Sequence, residues 1–197
     1  MQNKNYKNYK NYKNYKNLFI IIIFFLIILK IFIGKTYYTF YPGIPIYPNN
    51  IEEIKEVKKY IKSRNANDVE FFYKTNESIV PAFLQEVQEE SYINLKNKIT
   101  NLIPIILFLK FLFNRARPAQ IDNTIKPLNI NTAQTPAFPA GHAFQAYYLS
   151  KYLSKKYPNK KEIFENIAKE CDIIRVKAGL HYPSDGEFSK KLVDILF

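Results

Sequence analysis

Lys110 stands inside Ile103 to Phe113, an otherwise apolar run where a solvated face would not need such neighbours. Arg117 follows seven residues later, two helical turns on, so the two long side chains can converge from one side. Pro118 ends that helix and fixes where the guanidinium emerges. Arg175 borders an apolar stripe of Ile163, Ile167, Cys171, Ile174 and Ala178, and His142 shares a stripe with Ala146, Leu149 and Leu153. A buried cation needs an anion, because leaving it unpaired costs several kcal/mol. Taken singly, each group could pair with an internal carboxylate or sit as a satisfied core histidine. Taken together, Lys110, Arg117 and Arg175 gather three positive charges about one point. A phosphate, carrying about −1.5 to −2 charges and suited to bidentate Arg, is the natural occupant.

The elements that must hold these groups read as helices throughout. Ile51, Ile54, Val57 and Ile61 recur at helix spacing, with Glu and Lys opposite. A second helical stretch falls within Val69 to Gln88, interrupted near Pro81. A long helix is expected from Glu90 to Asn114, kinked or restarted at Pro104, with its apolar run Ile103–Phe113 in the core. Ala143–Tyr157 and Lys161–Ala178 follow, the latter stopped by Gly179, and a terminal helix begins near Pro183. No period-2 strand is found, so the expected class is all-α, a compact helical bundle.

Composition narrows the chemistry. The chain has 197 residues, 47% of them hydrophobic, and a formal net charge of +12. Setting aside an N-terminal tail and an apolar run leaves about 160 residues, enough for one domain and too few for a separate cofactor domain. Five Gly contain no glycine-rich phosphate loop. One Cys, Cys171, excludes a disulfide framework and multi-cysteine metal centres, and two His without a cysteine cluster argue against zinc. Composition therefore points away from zinc, iron–sulfur and nucleotide-cofactor chemistry, and no cofactor is expected.

Five of the twelve net positive charges, Lys4, Lys7, Lys10, Lys13 and Lys16, lie in a Lys-Asn-Tyr tail over residues 1–17. The tail has no apolar period and reads as a solvated, disordered arm. Such an arm could bind nucleic acid by charge and stacking, but it abuts Leu18–Gly34, an apolar run broken only by Lys30, and no nucleic-acid partner is expected. At about 1.5 Å per residue the run just spans a bilayer if Lys30 snorkels. Lysines before it and no small-x-small cleavage site after it predict an uncleaved single-pass anchor, tail cytoplasmic and domain translocated. Residues 35–50 read as a linker and 51–197 as the folded domain.

Lys110, six residues, then Arg117-Pro118 resembles the first motif of the type 2 phosphatidic acid phosphatase superfamily, which also contains the vanadium haloperoxidases. Pro139-Ala140-Gly141-His142 is similar to its second motif, and Arg175, five residues, His181, three residues, Asp185 to its third. The match runs from Lys110 to Asp185 in the family's order, and both histidines of the chain fall on motif histidines. The resemblance implies a metal-independent phosphatase with a phosphohistidine intermediate. His181 would be the nucleophile, Asp185 would set its tautomer, and His142 would be the general acid. Lys110, Arg117, Arg175 and the Gly141 backbone N–H would bind the phosphoryl oxygens.

Two departures stand out. Ala140 replaces the second-motif serine, and Ile174 replaces the serine before the third-motif Arg. Each residue also has a plainer role: Asp185 as the cap of the terminal helix, Gly141 as a helix-start glycine, His181 as a loop histidine. Arg115, beside the first motif, is assigned to the surface or to lipid headgroups. Tether and basic surface favour a lipid phosphate, such as phosphatidic acid or a prenyl diphosphate. The alternatives are a vanadate-dependent haloperoxidase, or a lapsed basic protein that binds anionic membranes.

Overall fold

The computed structural model describes residues 46–128 and 133–197, all within one unit, Tyr37–Phe197. The expected tail, anchor and most of the expected linker lie outside the described residues. Those described form nine α-helices and no strand: α1 (Asn50–Lys62), α2 (Ala66–Asn76), α3 (Val80–Leu84), α4 (Tyr92–Thr100), α5 (Ile103–Phe113), α6 (Pro118–Ile121), α7 (Gly141–Lys156), α8 (Lys161–Lys177) and α9 (Pro183–Leu196). The all-α expectation holds.

Local chemistry sets the helix ends. Asn49 caps α1, its side-chain oxygen accepting from the Ile51 N–H at 2.8 Å. Glu52 and Glu53 lie in the first turn and Lys59 and Lys62 in the last, complementing the helix dipole. Asn65 and Asp68 cap α2 reciprocally. The second helical stretch is interrupted near Pro81 as expected, at residues 77–79, and Pro81 itself opens α3, because the second helical position has no intrahelical N–H bond to lose. The expected long helix restarts near Pro104, after a break at Asn101 and Leu102, and ends as expected at Asn114, whose φ is 47°. Gly179, at φ 75°, ends α8 as expected and turns the chain toward His181.

The helices α7 and α8 pack against each other most extensively and form the centre. On one side Phe83, Leu95 and Ile99 meet Leu149, Leu153, Phe164 and Ala168. On the other, Ile54 and Val57 of α1 meet Val176 and Tyr182, while Phe72 of α2 meets Ile174 and Leu180. Leu102 and Ile106 pack on Phe144 and Val193.

Two sequence expectations need correction. The buried residues of α8 are Phe164, Ala168, Cys171, Asp172, Ile174, Arg175 and Val176, so the expected stripe holds at Cys171, Ile174 and the following Ala178, while Ile163 is exposed and Arg175 lies within the buried face instead of at its edge. The apolar run of α5 is core on one side only: Ile106, Lys110 and Phe113 are buried, but Ile103, Ile105 and Phe108 are exposed. Tyr92–Ile121 is the one described stretch long and apolar enough to cross a membrane by length and composition, and it is divided among α4, α5 and α6.

Candidate active site

A cavity of about 210 Å³ opens between α5, α7 and the end of α8. Lys110, Arg117, Gly141, His142, Arg175 and His181 all line it. Six of the seven expected site residues therefore share one cavity, and the seventh, Asp185, stands directly behind His181.

His181 is buried, and its Nδ1 lies 2.9 Å from Asp185 Oδ2. A carboxylate can only accept, so Nδ1 carries the proton and the Nε2 lone pair is left for chemistry. Arg117 Nη1, 3.2 Å from Nε2, donates to that lone pair. Burial first, then the nearby Arg117 charge, pushes the His181 pKa down to about 3, which keeps the ring neutral. Asp185 also accepts the Tyr182 N–H at 3.0 Å, so it caps α9 as well as orienting the imidazole. Burial opposes its charge, but the His181 N–H, the Arg115 guanidinium and the Tyr182 N–H together hold its pKa below the usual carboxylate range.

Arg115 is the residue the sequence reading misplaced. It is 0% exposed, neither on the surface nor free for lipid headgroups. Its Nη1 donates to the second Asp185 oxygen at 2.6 Å and to Ser184 Oγ at 2.7 Å. Its Nη2 pairs with Glu53 and its Nε donates to Asn50 Oδ1, while Tyr182 and Tyr47 cover its faces. Glu53 in turn accepts the Ser184 N–H and hydroxyl. A signal was present: a buried carboxylate that orients a histidine through one oxygen needs a donor at the other. Which of the many cations supplies it cannot be told from spacing. Residues 47–50, expected as linker, are part of this support.

The opposite wall is cationic. Lys110 Nζ donates to the Pro136 and Ala137 carbonyls, at 2.7 and 3.3 Å. No carboxylate pairs with it among the described residues, and burial, then Arg117, holds its pKa well below the usual lysine value. Arg117 is held by the Thr135 and Leu180 carbonyls at 2.9 and 2.8 Å. Arg175 Nη2 donates to Thr75 Oγ1 and its guanidinium lies over the Phe72 ring, but buried Nε and Nη1 find no acceptor among the described residues. Burial lowers the Arg175 pKa to about 10, so the group stays charged at neutral pH.

Gly141 begins α7, placing the unpaired N–H groups of its first turn at this wall. A side chain at Gly141 would press on Ile106 and Lys110, so glycine allows the close approach. His142 Nε2 donates to the Asn76 carbonyl at 2.8 Å, since a carbonyl can only accept, and Nδ1 makes no hydrogen bond among the described residues. Burial, then the Arg175 charge, holds the His142 pKa well below 6.5. The last turn of α2 thus fixes two groups of the wall, Arg175 through Thr75 and His142 through Asn76.

No protein-family model and no curated protein matches the chain. The described residues contain no cluster of His, Cys, Asp and Glu that could hold a metal ion. What the cavity offers is a neutral imidazole oriented for attack, a second imidazole, and concentrated positive charge.

Proposed function

We propose that this chain is a membrane-tethered, metal-independent phosphatase with a helical bundle of the type 2 phosphatidic acid phosphatase kind. One observation carries the reading: two imidazoles and three cations from distant parts of the chain line one small cavity, one of the imidazoles already fixed in its nucleophilic tautomer. The substrate is a phosphate monoester or diphosphate. At about 210 Å³ the cavity is smaller than the ~300–1,000 Å³ of pockets that enclose a whole small molecule. It takes the phosphoryl group and its first attached atoms, while Ile103, Ile106, Leu107 and Leu180 offer apolar walls to the rest of the substrate. Those walls support a lipid phosphate.

The chemistry is set by the hydrogen bonds. The phosphoryl group enters against Lys110, Arg117, Arg175 and the N-terminal N–H groups of α7, and Arg117 moves its donor from His181 Nε2 to a phosphoryl oxygen. The freed lone pair attacks phosphorus, and the bond to the ester oxygen breaks. Substrate charge offsets the burial and the Arg175 charge that keep His142 neutral, so His142 takes up a proton from solvent and passes it to the leaving oxygen, a transfer worth about 10²–10⁴-fold. Neutral again, His142 accepts a proton from water, and the resulting hydroxide attacks phosphohistidine, releasing phosphate and restoring His181. Asp185 stabilises the positive charge that His181 gains while bonded to phosphorus. Fixed cations facing the transferring group supply most of the remaining stabilisation.

The test is phosphate release by the full chain in EDTA, with lipid and soluble phosphates. Wild type is expected to turn over, vanadate to inhibit it, and acid quench to trap a labile phosphorylated protein. His181→Ala should show neither turnover nor trapped phosphate, and His142→Ala should lose turnover. Activity that EDTA removes, or that survives His181→Ala, would overturn the reading.

A further inference from the structure

The helix α5 is apolar all round, yet the described residues cover only one side of it. At 100° per residue, Ile106, Lys110 and Phe113 share the buried face. Pro104, Ile105 and Phe108 occupy the opposite one, flanked by half-buried Phe111 and Leu112. Phe108 is 57% exposed, Ile103 40% and Ile105 38%. The only charged side chain of α5, Lys110, points inward. A helix without a polar face is normally buried or in lipid.

We propose that this outer face of α5 docks on a lipid bilayer, which sets the cavity beside the membrane surface. The inference rests on the tethered-phosphatase reading and names the surface from which its substrate arrives. Three observations favour the bilayer over a protein partner. The residues between the expected anchor, ending at Gly34, and the first described residue, Ile46, number eleven. Fully extended they reach roughly 40 Å, so an anchored domain never leaves the membrane's vicinity. The exposed patch comes from a single helix of 11 residues, a narrow strip against the ~800 Å² per partner of a stable protein interface. Ile103 belongs both to the exposed surface and to the cavity wall, and Leu107 follows it along that wall. An apolar chain leaving the bilayer therefore meets continuous apolar surface up to the phosphoryl site.

The full chain tests this without relying on turnover. Cys171 is buried and is replaced in a Cys171→Ala background, so a Phe108→Cys variant takes one environment-sensitive fluorophore. In phosphatidylcholine–phosphatidylglycerol vesicles the label should be quenched by lipid-borne doxyl groups and shielded from aqueous iodide. A label at Ile195→Cys should show the reverse. Ile105→Asp with Phe108→Asp should lower turnover of vesicle-borne phosphatidic acid by about tenfold or more and leave p-nitrophenyl phosphate hydrolysis unchanged. A Phe108 label open to iodide, one shielded from both quenchers as under a protein partner, or a chain that stays off the vesicles overturns the proposal. Lipid quenching in a protein that hydrolyses neither substrate leaves the docking standing and removes the phosphatase reading instead.

Discussion

The two walls of the cavity are built on opposite principles. Behind His181 every charge is answered: both Asp185 oxygens are occupied, Arg115 is bound on all three nitrogens, and Glu53 holds Arg115 and Ser184 together. Across the cavity, among the described residues, Lys110 has only carbonyls and two Arg175 nitrogens have no acceptor. The first wall contributes to the stability of the fold because its charges are paired. The second costs stability, and an arriving anion recovers that cost. Orientation is fixed in advance, while the phosphoryl group itself completes the electrostatics.

Removing Arg115 should break the fold more than removing any cation of the open wall. Arg115→Met strands Asp185 and Glu53, and losing one partner of a buried pair costs about 3–5 kcal/mol. Urea melts should show that loss, and turnover should fall with it as His181 loses its fixed tautomer. Arg115→Lys, which keeps the charge but not the fork, should recover part of both. If Arg115→Met melts like wild type, the claim that this wall is pre-paired fails.

Arg175→Met should do the opposite. Turnover should drop about 10²–10³-fold, as when one donor to a developing oxyanion is lost. The melting temperature should hold or rise, because a buried charge with no carboxylate partner among the described residues has been replaced by an apolar chain. Vanadate should raise the melting temperature of wild type and not of Arg175→Met. A variant that is both inactive and strongly destabilised would make Arg175 an ordinary core residue.

The same contrast explains how much of the site is legible in the sequence. Arg117, past the left-handed turn at Asn114, is legible from motif order alone; Lys110, Arg175 and both histidines are legible from helical spacing and motif order, which depend on side-chain identity alone. Their binding partners are not. Thr135, Pro136, Ala137 and Leu180 act through carbonyls, which every residue carries and no sequence pattern marks. Arg115 lies past the left-handed turn at Asn114, where helical phase no longer predicts direction. Within the α8 stripe only Ile163 is misread, because Ile163 and Phe164 are equally apolar and it is Phe164 that packs on Phe83.

Asp172 sharpens the comparison from outside the cavity. It lies buried on α8 with Oδ2 accepting from Tyr147 and Oδ1 without a hydrogen bond among the described residues, and any side chain on Gly186 would collide with it. Burial raises its pKa to about 7, against 3.8 for the free group. The folded state thus holds a proton that the unfolded chain releases, so stability is greatest below about pH 4 and is lost as pH rises through 7. Asp172→Asn should add about 3 kcal/mol at pH 8 and little at pH 4. A pH-independent gain would mean that its charge is not what is being removed.

Ala140 gives the smallest effect and the finest test of the open wall. It is the N-cap of α7, with extended backbone, no side-chain hydrogen bond and no solvent exposure. In Ala140→Ser the hydroxyl oxygen would accept from an N–H of the first turn of α7, worth about 1 kcal/mol, and its proton would face the phosphoryl oxygens. A hydrogen bond to a charged group is worth about 1.5–3 kcal/mol, so kcat/KM should rise tenfold or more. Because the site is fully buried, an added atom without room would cost about 1–3 kcal/mol of stability. The two readouts therefore separate. Faster turnover with unchanged or lower stability means that position 140 faces the substrate, whereas higher stability with unchanged turnover means that the hydroxyl serves only the helix and that the phosphoryl group is held by the cations alone.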